Sequence, residues 1–424
     1  MHLTLLNLTE DSIVFTCNDR LSEKHHDLLP LPSSAVHATL PKFCTATLST
    51  AGEKQSAVAT IRLSGAKGGS WVPIEVPAGC PWRVYLSKCA RGQYKLTVLP
   101  HRELASFLSD IPDDVPLSQC LLPGTHDTMA FYGWPFSQCQ SISTPLNVQF
   151  RSGIRFLDIR LTPVQGRLIA YHGAYPQKTP FQDILITVHE FLTSEEGSRE
   201  TVVMSIKQEA PSNVFSQLVH DEIAYGRGGR DMWFFESRVP TLGEVRGKVV
   251  LFSRFGNGDG WEGGLNGMGI HPTYWPDSEK DGFTWMCNDT VVRTNDWYSI
   301  PSFLSIPEKV ALATAVIEPH PTDETIPALP ITYFSAASFP LAAPQTIAQG
   351  FGWPKLGFGV EGVNDRLGKW ALDQLESGGR TEKKGEPRIR GWVFLDYYEE
   401  PQNSLVPLLI EFNHRGRKAG QEGW

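Results

Sequence analysis

The feature that most constrains the fold is a series of short, almost wholly apolar runs that alternate with helix-like segments from residue 104 onwards. The runs are residues 120–122, 154–157, 168–170, 201–205, 248–252, 331–334 and 391–395. A strand that is apolar on both faces has to be covered on both faces, as in parallel sheets flanked by helices. The series therefore predicts either an open, doubly wound sheet or a closed (β/α)-barrel.

Polar side chains follow nearly every one of these runs. They are His126 and Asp127, Asp158 and Arg160, His172, Lys207 and Glu209, Arg254, and Asp396. An open sheet concentrates functional groups at one switch point, whereas a barrel collects them from the carboxyl ends of many strands. The pattern favours an α/β fold of the barrel type, with a site at the carboxyl ends of its strands.

The first 103 residues have a different rhythm. Short alternating segments such as 57–61, 82–86 and 94–98 are separated by clusters of glycine, proline, serine and asparagine. Short strands with turn signals and no helical period predict an all-β, sandwich-like domain. We therefore divide the chain into a β-domain at 1–103, whose role the sequence does not reveal, and a barrel domain at 104–424.

Composition limits the partners and the compartment. The 424 residues carry a formal net charge of −8, which argues against a nucleic-acid partner and against broad adhesion to anionic membranes. The first residues lack the basic and long apolar segments of a secretory signal, so we expect a cytoplasmic protein whose membrane contact is peripheral and transient. The composition does not predict an oligomeric state.

The cysteines predict neither disulfides nor a metal site. Seven cysteines are present, an odd number, and none shows the Cys/Cys or Cys/His spacing that is typical of zinc sites. Free thiols, with no bound metal or cofactor, are therefore expected.

Three of the polar residues suit one chemical task. Cleavage of a phosphodiester by a neighbouring hydroxyl needs a base, an acid and a cation for the phosphate oxygens. His126 and His172 can supply the proton transfers and Arg160 the cation, while Asp127 and Asp396 are carboxylates available to orient the imidazoles. Taken alone, the histidine of a Gly-Thr-His-Asp segment is more often structural, and Asp158 with Arg160 could be an internal ion pair that steadies the barrel.

The motifs taken together resemble the bacterial-type phosphatidylinositol-specific phospholipase C family, the X-domain lyases, over residues 105–424. The matching stretches are 117–128 (LSQCLLPGTHDT), 153–160 (GIRFLDIR), 171–173 (YHG), 200–209 (ETVVMSIKQE), 247–254 (GKVVLFSR), 295–298 (NDWY) and 391–397 (GWVFLDY). The resemblance implies a distorted TIM (β/α)-barrel that cleaves phosphatidylinositol, or an inositol-linked glycolipid, at a membrane surface. The implied products are inositol 1,2-cyclic phosphate and diacylglycerol.

The resemblance also implies a role for each site residue. His126 would be the general base, oriented by Asp396, and His172 the general acid, assisted by Asp127. Arg160 would replace the calcium ion of the larger eukaryotic enzymes, so that no metal is needed.

The inositol would be bound by a second group of side chains. They are Asp158, Lys207, Glu209, Arg254, Asp296 and Tyr298, with Tyr298 against the apolar face of the ring. A rival placement of the Asp296 role is Asn288–Asp289.

Two other functions remain open at this stage. A glycerophosphodiester phosphodiesterase uses a related barrel but needs a Glu-x-Asp metal pair, where this chain has Asp158 and Arg160. A catalytically silent protein that binds inositol lipids is the other alternative. Two aromatic clusters, 131–136 and 351–354, are either ordinary loop packing or a rim that inserts into a lipid interface.

Overall fold

The computed structural model describes residues 1–19, 22–30, 35–41, 43–51, 57–64, 70–320, 326–354, 358–378 and 389–415. The chain forms two compact units. The first contains Met1–Arg102, Phe351–Glu361 and Asp365–Lys384, and the second contains Glu103–Gly350, Gly362–Asn364 and Gly385–Trp424.

The N-terminal residues of the first unit form two sheets. Their strands are β1 (His2–Asn7), β2 (Ile13–Asp19), β3 (Ser22–Leu28), β4 (Val36–Thr39), β5 (Phe43–Thr50), β6 (Val58–Ser64), β7 (Trp71–Ile74), β8 (Trp82–Ala90) and β9 (Gln93–Pro100). One sheet has the order β4-β1-β9-β8-β7 and the other β3-β2-β5-β6. Both contribute to one hydrophobic core, for example Leu5, Phe15 and Trp82. The predicted all-β region is therefore present.

From residue 103 onwards strands alternate with helices. The strands are β10 (Leu121–Thr125), β11 (Phe156–Val164), β12 (Arg167–His172), β13 (Tyr175–Pro180), β14 (Val202–Gln208), β15 (Trp233–Phe234), β16 (Val249–Arg254), β17 (Phe283–Cys287), β18 (Thr290–Asn295), β19 (Ala328–Tyr333), β20 (Gly350–Trp353), β21 (Phe358–Glu361) and β22 (Gly391–Leu395). The helices are α1 (Leu146–Arg151), α2 (Phe181–Leu192), α3 (Phe215–Tyr225), α4 (Leu242–Val245), α5 (Ile306–Ile317), α6 (Pro344–Gln349), α7 (Val363–Gly378) and α8 (Leu405–Glu411).

The main sheet of the second unit is parallel along most of its length. Its order is β15-β16-β14-β11-β10-β22-β19-β18-β17, and only β17 on this path is antiparallel to its neighbour. Phe252 of β16 and Trp285 of β17 come from opposite ends of this path, yet their ring centroids are 6.1 Å apart. The sheet is therefore strongly curled, and no ladder within the described residues joins β15 or β16 to β17.

Aromatic side chains fill the inside of the curled sheet. The ring of Phe156 lies 4.1 Å from that of Phe394, 5.0 Å from that of Trp392 and 5.9 Å from that of Phe252, measured between centroids. These rings come from β11, β16 and β22, and all four are buried. The interior is thus a packed core, and only the carboxyl ends of the strands remain for a site.

One predicted strand takes a different place. The run at 168–170 was expected to be a further parallel strand, but β12 pairs antiparallel with β11. Val164 and Arg167 are partners, which leaves a two-residue turn, Gln165–Gly166, with φ angles of 51° and 77°. Two positive φ values are typical of a hairpin turn whose twist matches that of the strands. Gln-Gly is a weaker signal for this turn than Asn-Gly, and the sequence pattern did not reveal it.

The first unit also takes in a segment of the barrel region. The division at 103/104 placed residues 351–384 in the barrel domain, whereas 351–361 and 365–384 belong to the first unit. The indole Nε1 of Trp71 donates to the carbonyl of Asp365 at 2.8 Å, and Glu376 accepts from Lys95 at 2.5 Å and from Thr97 at 2.7 Å. The apolar pattern of α7 shows that one face is buried but not which partner covers it.

All seven cysteines lie within the described residues, and no disulfide joins any of them. Among the described residues, no helix is both long and apolar enough to cross a membrane.

Candidate active site

A cavity of about 650 Å³ opens at the carboxyl ends of the parallel strands. Nine of the eleven side chains predicted for the site line it: His126, Arg160, His172, Lys207, Glu209, Arg254, Asp296, Tyr298 and Asp396. The other two, Asp127 and Asp158, are buried against the lining residues. The volume lies within the range of ligand pockets, roughly 300 to 1,000 Å³.

The position of His126 follows from the close packing of β10. A Cβ atom on Gly124 would lie 2.6 Å from the carbonyl oxygen of Phe156, so only glycine allows β11 to approach this closely. Beyond the end of β10, the amide of His126 still donates to the carbonyl of Leu395 at 3.0 Å. The side-chain amide of Gln140 donates to the same carbonyl and to that of His126. The backbone that carries His126 is therefore fixed on both sides.

The two ring nitrogens of His126 have different partners. Nη2 of Arg160 lies 2.8 Å from Nε2, and Oδ1 of Asp396 lies 2.8 Å from Nδ1. Because a guanidinium can only donate, Nε2 accepts, and Nδ1 therefore carries the proton and donates to Asp396. Burial, followed by the charge of Arg160, holds the pKa of His126 well below its usual value. His126 is thus neutral, with the lone pair of Nε2 directed at Arg160.

His172 lies across the cavity, its ring centroid 6.4 Å from that of His126. Its Nδ1 donates to the backbone carbonyl of Ser137 at 2.9 Å, whereas Oδ2 of Asp127, the predicted partner, is 3.5 Å away. A carbonyl can only accept, so Nδ1 carries the proton and Nε2 is left for other partners. Burial and the charge of Arg160 lower the pKa of His172.

Arg160 is the centre of charge in the site. Its Nε donates to Oδ2 of Asp158 at 3.0 Å and lies 3.7 Å from Oδ2 of Asp127. Its Nη1 lies 3.6 Å from Oε1 of Glu209. Asp158 and Arg160 point to the same side of β11, as their i, i+2 spacing predicts. Although burial acts to raise it, the charges of Arg160 and Arg254 hold the pKa of Asp158 below its usual value. One guanidinium thus faces three carboxylates and one imidazole.

The remaining predicted residues line the other half of the cavity. Nζ of Lys207 lies 2.9 Å from Oε1 of Glu209. Nη2 of Arg254 lies 3.9 Å from Oδ2 of Asp296. The hydroxyl of Tyr298 donates to Asp277, and its side chain is 40% exposed. This half of the cavity therefore offers charged donors and acceptors beside an accessible aromatic ring.

The rival placement of the Asp296 role is not supported by the geometry. Asn288 and Asp289 form the turn between β17 and β18, at the amino end of β18, and Asn288 has a φ of 52°. Asp296 follows the carboxyl end of β18 and lines the cavity. The structure therefore brings Asp296, and not Asp289, to the predicted site.

Three residues that contribute to the site were not predicted from the sequence. Ser137 acts through a backbone carbonyl. Trp275 lies under the guanidinium of Arg254, 4.0 Å from ring centroid to Cζ, and its Nε1 donates to Asp296 at 2.9 Å. Tyr333 packs edge-on to His126 at 6.2 Å between centroids, and its hydroxyl accepts from Arg254 at 3.3 Å. Tyr333 ends β19, so its position at a strand end was the signal in the sequence that pointed to the site.

One group of side chains in the described part of the chain could approach a metal ion. Ligand atoms of His126, Cys139 and Asp396 lie within 4.8 Å of one another. Nδ1 of His126 already donates to Asp396, however, and burial raises the pKa of the Cys139 thiol well above its usual value. The contacts of this group therefore fit a hydrogen-bonded histidine better than a metal centre.

Exposed apolar side chains lie at one edge of the site. Phe136 lines the cavity, is 48% exposed and packs edge-on against Phe339, with 5.3 Å between centroids. Trp134, Phe339 and Leu341 are each about 70% exposed or more. The first aromatic cluster of the sequence thus contributes to this edge, whereas Phe351 of the second cluster belongs to the first unit.

Comparison with known protein families gives one match. The model of the phosphatidylinositol-specific phospholipase C X domain matches residues 114–255. This range contains His126, Asp127, Arg160, His172 and Arg254.

Curated relatives match over a similar length. The 1-phosphatidylinositol phosphodiesterase of Listeria monocytogenes is 32% identical over 161 residues, which are 35% of this chain and 48% of the relative. The enzyme of the same name from Staphylococcus aureus is 27% identical over 165 residues, 36% of this chain and 51% of the relative. The chain therefore spans about half the length of the curated relatives that it matches.

Solved structures extend the similarity in fold. A phosphatidylinositol-specific phospholipase C from S. aureus, studied for the modulation of its membrane binding, superposes with a TM-score of 0.57 at 20% identity. The match covers 73% of this chain and 98% of that one. A form of the S. aureus enzyme that contains pentafluorophenylalanine gives a TM-score of 0.58 at 20% identity, over 73% and 97% of the two chains. The fold of the bacterial enzymes thus extends well beyond the matched 142 residues of the family model.

Proposed function

We propose, since residues 114–255 belong to the phosphatidylinositol-specific phospholipase C X domain family, that this protein cleaves phosphatidylinositol into inositol 1,2-cyclic phosphate and diacylglycerol. The observation that carries the proposal is that His126 and His172 face one cavity, with 6.4 Å between their ring centroids, and that Arg160 donates a hydrogen bond to His126. A base, an acid and a fixed cation beside one another are what intramolecular attack on a phosphodiester requires.

His126 is the general base in this proposal. When substrate binds, Nε2 accepts the proton of the inositol hydroxyl next to the phosphate, and the oxygen of that hydroxyl attacks phosphorus. The proton on Nδ1 remains bonded to Asp396, which stabilises the imidazolium that forms. The short contact from Arg160 to Nε2 has to be exchanged for one to the phosphate, which places the guanidinium on a nonbridging oxygen.

His172 is the general acid. Its Nδ1 is held by the carbonyl of Ser137, so Nε2 is the atom that can protonate the departing diacylglycerol oxygen. The negative charge of the bound phosphodiester favours the protonated ring and offsets the charge of Arg160, which lowers the pKa of His172 in the free protein. A cyclic phosphate and a neutral alcohol are then the products, with no water consumed.

The other half of the cavity recognises the headgroup. A cyclitol presents several hydroxyls, each of which can donate and accept. Lys207 and Arg254 offer donors, Glu209 and Asp296 offer acceptors, and the exposed ring of Tyr298 offers an apolar face. This mixture fits an inositol ring better than an acyl chain.

Contact with the membrane is local and apolar in this proposal. The edge formed by Trp134, Phe136, Phe339 and Leu341 lies where the cavity is lined by Phe136. Aromatic side chains are favoured at the interface of a bilayer, whereas a net charge of −8 gives no general attraction to anionic lipids. The headgroup of the lipid would therefore enter the cavity while this edge contacts the interface of the bilayer.

The proposal is tested with the purified protein and phosphatidylinositol vesicles in the presence of EDTA, with ³¹P NMR to identify the product. His126→Gln and His172→Gln should each lower kcat by roughly 10² to 10⁴-fold, the usual contribution of one acid or base. His220→Gln, on α3 and outside the cavity lining, is the matched control and should retain full activity. Wild-type protein that releases no cyclic phosphodiester would reject the proposed function.

Metal independence is tested at Arg160. Arg160→Lys should remain poor with or without calcium, because an ammonium cannot reproduce the forked contacts of the guanidinium. Arg160→Asp would place a fourth carboxylate beside Asp127, Asp158 and Glu209, all within 4 Å of the present guanidinium, and oxygen-rich sites of this kind bind calcium. We expect that variant to be nearly inactive in EDTA and partly restored by millimolar calcium. Loss of wild-type activity in EDTA, with recovery in calcium, would contradict the metal-free mechanism.

A further inference from the structure

Lys309 occupies a core position on α5. The buried face of this helix is formed by Ile306, Lys309, Val310, Ala313, Thr314 and Ile317, at the i, i+3, i+4 spacing of a helix that packs on a sheet. Lys309 is fully buried, at 0% exposure, and within the described residues its Nζ has no hydrogen-bond partner. Such a position is normally occupied by an apolar residue, and a lysine there normally extends its ammonium group to the surface.

Two features of this position disfavour a cation. Removal of an ammonium from water without a hydrogen-bond partner is costly. Lys309 also lies in the first turn of α5, where the positive end of the helix dipole repels positive charge. Neither packing nor local helix formation therefore explains a lysine here.

Two carboxylates of the candidate active site offset part of the free energy that burial of the ammonium requires. Asp296 follows β18 and Asp396 follows β22, and these strands flank β19 in the sheet. Helix α5 packs on β18 and β19 and connects these two parallel strands, so its first turn follows the carboxyl end of β18, the end at which Asp296 lies. Burial lowers the pKa of Lys309 to about 8, and the charges of Asp296 and Asp396 limit that decrease.

The face of the sheet beneath α5 is also polar. Asn295 and Thr332 are partners in the ladder between β18 and β19, so their side chains point to the same face. The next residues in sequence, Asp296 and Tyr333, point to the cavity side. Oδ1 of Asn295 and Oγ1 of Thr332 are buried without a partner among the described residues. The face of the sheet on which α5 packs therefore carries two buried polar atoms without a partner among the described residues.

We infer that Lys309 is a positioning residue, whose positive charge behind the barrel wall keeps Asp396 and Asp296 ionised. The inference rests on the proposed function for its catalytic meaning. An ionised Asp396 stabilises the imidazolium of His126 when that base takes a proton, and an ionised Asp296 accepts hydrogen bonds from substrate hydroxyls. Burial raises the pKa of both carboxyls, and for Asp396 the charges of Asp127 and Asp158 raise it further; the charge of Lys309 acts in the opposite direction on both without touching substrate.

The charge is tested directly by ¹³C NMR of the Asp296 and Asp396 carboxyl carbons, which requires no substrate. In Lys309→Met both carboxyl pKa values should rise by about one unit, the smaller end of the effect of a neighbouring opposite charge. Thr314→Val, on the same buried face, is the matched control because it removes a polar group but no charge, and both pKa values should stay at their wild-type values. Unchanged carboxyl pKa values in Lys309→Met would overturn the inference.

A second measurement covers the case in which Lys309→Met does not fold. In wild type, the two carboxyl carbons should show a step in chemical shift near pH 8, where Lys309 loses its proton. Lys309→Arg stays charged and should abolish that step. The absence of the step in wild type would also overturn the inference.

Kinetics supply the readout that a purely structural role would not change. In Lys309→Met, kcat should fall and the acid limb of kcat/KM should move to higher pH, because protonation of Asp396 then adds to that of the base His126 in removing active protein at low pH. A variant that is merely less stable would keep both limbs in place, and that result would overturn the inference. Wild-type protein that fails to cleave phosphatidylinositol would instead reject the proposed function and leave the NMR result intact.

Discussion

At the scale of single residues, the site is organised by the atoms that hold each histidine. The Nδ1 proton of His126 is held by a carboxylate, Asp396, and that of His172 by a backbone carbonyl. Both rings are therefore oriented with Nε2 as the atom available for proton transfer, which in His126 accepts from Arg160 until substrate replaces that contact. A carboxylate stabilises an imidazolium more than a carbonyl does, because it adds charge to the hydrogen bond. This difference fits a base that gains a proton in the reaction and an acid that loses one.

Under the proposed mechanism, the pKa values of these histidines predict an acidic pH optimum. The base must be neutral, so activity rises with pH through the pKa of His126, which burial and Arg160 hold well below 6.5. The acid must be protonated, so activity falls with pH through the pKa of His172, which burial and Arg160 also lower. The profile of kcat/KM, which reports on the free enzyme, should therefore be bell-shaped with both limbs below pH 6.5.

This profile is measured on a water-soluble phosphodiester of inositol, so that membrane binding does not contribute. In Arg160→Gln the neighbouring charge is absent, and the alkaline limb should move to higher pH even though the rate is low. An alkaline limb of the wild-type enzyme above pH 7 would contradict the assignment of His172 as the acid.

Most site residues could be predicted from sequence because they are side chains at strand ends. Parallel strands place their carboxyl ends at one edge, so His126, Arg160 and Asp396 had to lie near one another once the sheet was inferred. Ser137 could not be found in this way, because a carbonyl acceptor is available at every residue. Trp275 lies in the segment between β16 and β17, where no periodic pattern fixes the path of the chain.

At the scale of secondary-structure elements, the sequence of α7 predicts that one face of the helix is buried but not what that face packs against. Its alternation of apolar and polar residues is that of a helix with one buried face, and this face was predictable. Its partner was not, because a helix in a barrel and a helix against a separate sheet bury the same type of stripe. The partner is revealed by polar contacts between residues about 280 positions apart, such as Lys95 with Glu376.

The contacts of Glu376 give a prediction for stability. Its carboxylate is 2% exposed and accepts from both Lys95 and Thr97. Glu376→Ala should lower the free energy of unfolding of the first unit by about 2 to 3 kcal/mol, because a charged hydrogen bond and a neutral one are lost. Urea denaturation followed by tryptophan fluorescence measures this change.

The same helix offers a matched control. Lys369 pairs with Asp373 one turn away, and Asp373 is 48% exposed. Exposed pairs of this kind contribute about 0.3 to 0.5 kcal/mol, so Asp373→Ala should have a small effect. Equal losses for Glu376→Ala and Asp373→Ala would show that the buried contacts to the β-sheets do not stabilise the unit.

At the scale of the whole molecule, the first unit is discontinuous in sequence. It combines Met1–Arg102 with Phe351–Glu361 and Asp365–Lys384. Its core was predictable from the strand pattern of the first 103 residues, but its boundary was not, because no composition shift marks residues 351–384 as part of a different unit.

A dissected protein tests this organisation. Residues 1–102 alone should unfold at a lower temperature than the same residues joined through a Gly/Ser linker to 351–384, because the fragment lacks the helix that covers Trp71 and Thr97. Circular dichroism during heating compares the two. Equal melting temperatures would show that α7 is not an integral part of the first unit.

The discontinuity also imposes an order on synthesis. A ribosome releases the first 102 residues early, but the segment that completes their unit begins at Phe351. At roughly 5 to 20 residues per second, the intervening chain takes on the order of ten seconds to one minute to appear. During that interval the nascent sheets lack the helix that covers Trp71, while the strands up to β19 are synthesised. Until α7 is made, an incomplete sheet of this kind can pair with neighbouring chains, so aggregation of the nascent protein should begin in its N-terminal residues.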